Sequence, residues 1–234
     1  MTAPPMRIGI RVPQYGGTWD EIRAVADYLD RSGVHALWVN DHLQSPGRVK
    51  ADPTFDAFTT LSALAALTQR VQLGIAVLSS SYRPPQLAAK MASVLDEISG
   101  GRLIVGLGTG SDQPEHAAYG FDFGTPRERT DRLRSALDVM DAMWAHPTGA
   151  SVAGILENAP NMPCSRRPPV WLAAHGPVLL RRAGRSADGI IAAWVSPDEL
   201  SARAAIAHEA ATAADRPAPR IALYTFCLIA PSTT

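Results

Sequence analysis

Four short segments of this sequence carry residue types that could do chemistry, and each lies at the end of an apolar run of strand length. Asn40-Asp41-His42 follows the second such run. A histidine there suits proton or hydride chemistry, because its ordinary pKa lies near neutrality and an acid stands beside it. A solvent-exposed loop histidine fits the same position. Ala76-Val77-Leu78-Ser79-Ser80-Ser81 closes the third run. Its small and hydroxyl residues would let a flat ring approach the backbone and would meet its polar edge, although a serine-rich turn looks the same. Gly106-Leu107-Gly108-Thr109-Gly110-Ser111 closes the fourth, and its alternating glycines suit close backbone approach to a ligand. Ala173-Ala174-His175-Gly176-Pro177-Val178-Leu179 closes the fifth and opens into a helix, whose first amides could bind phosphate. A plain helix start with proline in the first turn is the alternative, and His175 either touches the anion or packs. Asp188-Gly189 reads as a turn.

The elements that must position these segments alternate along the chain. Strands are expected over residues 6–12, 35–40, 71–78, 103–107, 170–173, 189–193 and 221–229, and helices over 18–32, 55–67, 86–98, 127–144, 177–187 and 198–214. Thr18 and Glu21 form a capping box, Gly33 suits a helix stop, and Gly100-Gly101 ends the third helix. Residues 146–168 have no clear period and read as an excursion over a rim within one domain spanning 1–234. Strand–helix alternation implies a parallel sheet with right-handed crossovers. Since Pro13-Gln14-Tyr15-Gly16-Gly17 is a poor phosphate cradle and no GxGxxG follows the first strand, a TIM (β/α)8-type barrel fits better than a dinucleotide-binding sheet. The pattern stops after a seventh strand, so the last helix–strand unit is expected to be lacking, either because the chain is a fragment or because the barrel is shortened and closes the gap by dimerising or rearranging.

Composition narrows the class. The 234 residues fit one domain, and 22 basic against 22 acidic residues leave no net charge to favour nucleic acid or an anionic membrane. There is no long apolar run and no leader-like N-terminus, so a cytoplasmic protein is expected, with Cys164 and Cys227 as reduced thiols. HExxH, paired Cys/His and GxSxG patterns are missing, and no metal is expected. Asp52, Glu97, Glu115 and Glu128 stand as isolated surface or capping acids. Trp38, Trp144, Trp171 and Trp194 are expected to pack in the core.

In series, residues 36–43 (ALWVNDHL), 69–78 (QRVQLGIAVL) with Arg83-Pro84-Pro85, 95–110 (LDEISGGRLIVGLGTG), 127–144 and 169–193 (PVWLAAHGPVLLRRAGRSADGIIAA) resemble the luciferase-like monooxygenase superfamily. The similarity is strongest to its branch that uses coenzyme F420, an 8-hydroxy-5-deazaflavin. The resemblance implies an F420-dependent oxidoreductase passing a hydride between the deazaflavin and a small organic substrate, with a homodimer as the expected assembly. An FMN-dependent monooxygenase fed by a separate reductase, or a non-catalytic flavin binder, is the alternative. It further implies His42 as the catalytic residue facing the ring and Asp41 as an acid on the cofactor. Ala76-Val77 would form a non-prolyl cis peptide behind the ring, Ser79 a hydroxyl contact, and Thr109 and Gly110 part of the ring pocket. His175, Gly176, Val178 and Leu179 would form the phosphate turn. Where related sugar-phosphate dehydrogenases carry a general-acid glutamate, this sequence has Ser111, which cannot take that role at neutral pH; Glu115, nearby in sequence, could substitute for it. Glucose-6-phosphate oxidation is therefore not expected, and a reductase or monooxygenase role is left open.

Overall fold

The computed structural model describes residues 6–46 and 52–227. It divides into two compact units, Met1–Val170 and Trp171–Thr234.

In the first unit, β1 (Gly9–Arg11), β2 (Ala36–Val39), β3 (Gln72–Ser79) and β4 (Leu103–Gly108) lie side by side in chain order, all parallel. Helices α1 (Trp19–Arg31), α2 (Ala57–Leu67) and α3 (Pro85–Ile98) make the crossovers. Local chemistry sets the helix starts. Thr18 and Glu21 form the expected reciprocal capping box, and the Asp56 side chain accepts from the Phe58 and Thr59 amides at the head of α2. Strand β4 is buried along its whole length, which is why LIVGLG shows no alternation. Gly100 and Gly101 follow α3 with φ of +64° and +85°. The stop after α1 differs from expectation: Ser32 caps it in an extended conformation and donates its N–H to Tyr28, so Gly33 is not the stop.

Three elements were not legible in the pattern. Helix α4 (Gln113–Ala118) follows β4, and its six residues are too few to show a period. It precedes the long α5 (Pro126–Ala145), which starts on a second capping box, Thr125 with Glu128. The excursion then folds into an antiparallel hairpin, β5 (Ala150–Val152) and β6 (Leu156–Ala159). Buried Asn161 anchors its return, donating from Nδ2 to Ser93 Oγ at 3.0 Å and to the Met143 carbonyl at 3.3 Å. The first strand is shorter than expected, because only three residues pair with β2, and Met6 and Ile8 are exposed beside it.

In the second unit, β7 (Val170–Ala173), β8 (Gly189–Ala193) and β9 (Arg220–Tyr224) are parallel in that order. Helices α6 (Pro177–Ser186) and α7 (Pro197–Thr212) connect them and pack together, α7 starting on the Ser196–Glu199 capping box. The last strand was expected to reach residue 229; it ends at Tyr224, and residues 228 and 229 lie outside the described residues. Trp144 packs as expected, 5% exposed with its indole N–H on Ser93 Oγ. Trp194 corrects the expectation of core packing: it is 56% exposed and meets Tyr224 and Phe226 at the ends of β8 and β9.

Candidate active site

The strand ends of the first unit bring Asp41, His42, Ser79 and Gly110 together with residues the sequence did not mark. The end of β2 is braced from β1 by Gln14, fully buried in the loop dismissed as a phosphate cradle. Its amide oxygen accepts the Asn40 N–H at 2.7 Å, and its amide nitrogen donates to the carbonyls of Asn40, at 2.7 Å, and of Phe55. Gln14 thereby satisfies backbone groups that no strand neighbour reaches at this point and fixes the chain just before the chemistry.

Asp41 is 3% exposed and turns inward. The Arg83 guanidinium donates to its two oxygens at 2.7 and 2.8 Å, and Ser79 N–H donates to it at 3.0 Å. Burial pushes the Asp41 carboxyl up from its ordinary value, while Arg83 and the Ser79 amide pull against that rise. Arg83 also lies 3.8 Å from Asp56 and over the Phe58 ring, linking the end of β2 to the head of α2.

His42 faces Glu115, and here the sequence reading is corrected. Read as an isolated surface or capping acid, Glu115 is instead 0% exposed on α4. Its Oε2 lies 2.7 Å from His42 Nδ1 and accepts the Tyr82 hydroxyl at 2.5 Å, while its Oε1 accepts the amides of Leu43, at 2.5 Å, and Gln44, at 3.1 Å. Burial pushes the Glu115 carboxyl up, but the hydrogen bonds from His42, Tyr82 and the Leu43 amide outweigh it and hold the group at about 2. Burial and then that carboxylate push the Tyr82 phenol upward, so Tyr82 stays a donor. A carboxylate on Nδ1 fixes the imidazole: Nδ1 carries a proton toward Glu115 and Nε2 is left for proton exchange. The side chain of His42 is 20% exposed.

Helix α4 positions this acid because Asp112 caps it, its side chain accepting the Glu115 N–H at 3.0 Å. Where the sequence offered no metal cluster, the fold places ligand-capable atoms of His42, Asp112 and Glu115 within 4.8 Å of one another. A cation there would have to displace donors from Glu115, both of whose oxygens already accept two hydrogen bonds.

The Ala76–Val77 peptide is cis, and β3 shifts register against β4 between Ile75 and Leu78. Gly110 has φ +79°, and a Cβ there would lie 2.8 Å from Ser79 Oγ and 3.1 Å from the His116 ring. Thr109 stands beside it, and Ser111 is exposed. Buried polar atoms are also left over: among the described residues Asn40 Oδ1 and Ser80 Oγ find no hydrogen-bond partner. A flat ring with a hydrogen-bonding edge fits this set, since the strand ends carry buried polar atoms that lack a hydrogen-bond partner among the described residues.

The second unit carries the other segment. Gly176 caps α6 with no side-chain hydrogen bond, and the first helical bond runs from Leu180 N–H to Gly176, so the Val178 and Leu179 amides precede it. His175 Nδ1 accepts from Arg203 at 2.9 Å.

The family described as luciferase-like monooxygenase matches residues 5–234. An F420-dependent glucose-6-phosphate dehydrogenase of Kineococcus radiotolerans is 31% identical over 80% of this chain and 56% of its own length. One of Nakamurella multipartita is 32% identical over 82% and 57%. The chain thus spans about half the length of the curated relatives it matches. Among solved structures, an F420-dependent secondary alcohol dehydrogenase in complex with an F420-acetone adduct superposes with a TM-score of 0.80, at 19% identity, over 93% of this chain and 68% of that one. The chain belongs to the luciferase-like monooxygenase family.

Proposed function

We propose that this protein is an F420-dependent oxidoreductase acting on a small organic molecule, with His42 handling the proton. The observation that carries the proposal is the His42–Glu115 pair at the end of β2, in a chain whose β3 carries the cis Ala76–Val77 peptide. The family and the naming of its relatives favour F420 over FMN. Bound F420 would supply a ring carbon that gives or takes a hydride. Thr109, Gly110, Ser79 and the Ala76–Val77 segment would hold the ring, with Asp41 acting on it through Arg83 and the Ser79 amide as well as by contact. His42 Nε2 would take or give the proton that accompanies hydride transfer, while Glu115 holds Nδ1 and stabilises the imidazolium. Exposed Ser111 supplies no acid, and Glu115, held at about 2, keeps no proton to give at neutral pH, so His42 carries the proton alone. The amides of Val178 and Leu179 at the head of α6, with His175 and Arg203 beside them, are proposed to bind phosphate.

The same reading takes the chain as a single domain of the (β/α)8-barrel type and a cytoplasmic homodimer. Parallel strand order within each unit and the likeness to solved relatives support the barrel. Free Cys164 and Cys227 are compatible with a reducing compartment. No helix among the described residues is long and apolar enough to cross a membrane. Exposed Met6, Ile8 and Ile10 along edge strand β1 support an association that sedimentation velocity would detect as a dimer.

Titration with F420 and with FMN, followed by tryptophan fluorescence, tests the cofactor. Saturable binding of F420 is expected; binding of FMN alone would overturn it. With reduced F420 and a panel of nitro, enone and imine acceptors, His42→Ala should cut turnover about a hundredfold while cofactor affinity holds. An unchanged rate would remove His42 from the chemistry.

A further inference from the structure

Behind Ser79 a chain of hydrogen bonds runs inward. Ser79 Oγ lies 2.7 Å from Ser81 Oγ, Ser81 Oγ lies 2.6 Å from His116 Nε2, and His116 Nδ1 lies 2.6 Å from the Asp112 carbonyl oxygen. His116 is wholly buried, with Tyr82 and Phe123 against its ring at 4.6 and 4.9 Å between centroids.

The chemistry of the partners gives the chain a direction. A carbonyl oxygen has no proton to donate, so the hydrogen in the Asp112 bond sits on His116 Nδ1. In the uncharged ring Nε2 is then an acceptor, and Ser81 uses its one hydroxyl proton on it. Ser81 Oγ is left to accept, so the Ser79 proton also points inward. Ser79 therefore has lone pairs and no proton to offer outward. The only donor on its own oxygen is a long contact from Ser81 N–H at 3.4 Å among the described residues. Gly110 keeps the relay open, since a side chain there would press on both Ser79 Oγ and the His116 ring.

We propose that His116 and Ser81 are positioning residues that fix the hydrogen-bond sense of Ser79, so that the site selects a ring edge bearing an N–H or O–H donor at that point. This rests on the reading above that Ser79 lines the cofactor pocket.

Two measurements test it separately. On the protein without cofactor, nitrogen-15 NMR of the histidine rings should show His116 as the uncharged Nδ1–H tautomer. An Nε2–H tautomer or an imidazolium at neutral pH would overturn the relay. For recognition, F420 affinity is measured by fluorescence in a double-mutant cycle. His116→Phe keeps a ring and removes the acceptor, and it should weaken F420 binding about tenfold, the scale of one hydrogen bond. In a Ser79→Ala background the same change should do nothing further, and His116→Gln, whose amide oxygen can accept from Ser81, should restore most of the affinity. Equal losses in both backgrounds would overturn the proposal. If His116→Phe does not fold, Ser81→Ala interrupts the relay at its middle and takes its place in the cycle. Failure of the native protein to bind F420 would sink the proposed function and the selection of a donor edge with it, whereas a wrong tautomer would sink the relay alone.

Discussion

At the scale of single residues, the environment of Glu115 has a measurable consequence for stability. Its carboxyl is held at about 2 in the fold, against an ordinary 4.5 when the chain is open. A depressed carboxyl contributes stability that is fully present above its unfolded pKa and is lost as pH falls through the folded value. The contribution should therefore be complete above about pH 5 and fade down to about pH 2, with a size of about 3 kcal/mol from the linkage. Urea unfolding of the native protein and of Glu115→Gln, at pH 7, 4 and 3, checks this. The gap between the two should shrink steadily toward acid, and a gap independent of pH would contradict it. His42 and Ser79 were legible in the sequence because a strand end followed by a polar residue is a readable address. The pairing of Glu115 with His42 was not: the two lie 73 residues apart, and Glu115 sits on a helix too short to announce itself.

At the scale of elements, the sheet and helices of the first unit are tied at the end away from the chemistry by Arg102. Its guanidinium donates to the Ala65, Thr68 and Val71 carbonyls and to Thr68 Oγ1, at 2.8–2.9 Å, and Nε donates to Ser99 at 2.7 Å. These are carbonyls at the C-terminal ends of α2 and α3 and at the entry to β3, groups that a helix or strand end cannot satisfy by itself. Arg102→Ala should lower stability by about 2 kcal/mol, read from the urea midpoint, and leave F420 affinity near its native value. Lysine should recover little, since a point charge cannot reach several carbonyls in one plane. An unchanged midpoint would show that water replaces the guanidinium at no cost. Alternation of apolar runs located thirteen of the sixteen elements among the described residues to within a few residues. The three it missed, α4, β5 and β6, have six residues or fewer, below the length at which periodicity separates from chance.

At the scale of the whole molecule, the balance of 22 basic and 22 acidic side chains leaves no net charge at neutral pH. Self-repulsion is then weakest, so light scattering at fixed concentration should show the strongest association near pH 7, with less at pH 5.5 and 8.5. A flat profile would mean that local patches govern association, the exposed apolar residues along β1 being the first to examine. The sequence by itself determined the alternating parallel architecture, the addresses of the candidate site at strand ends and, through the resemblance, the family, because these follow from periodicity and local order along the chain. Only the tertiary structure decided that Asp41 is held by Arg83, that His42 is held by Glu115, and that Ser79 is backed by Ser81 and a buried His116. Those pairings join residues up to 73 positions apart. No local pattern encodes which donors a burial site will bring to a carboxylate, and it is those donors that decide where its proton sits.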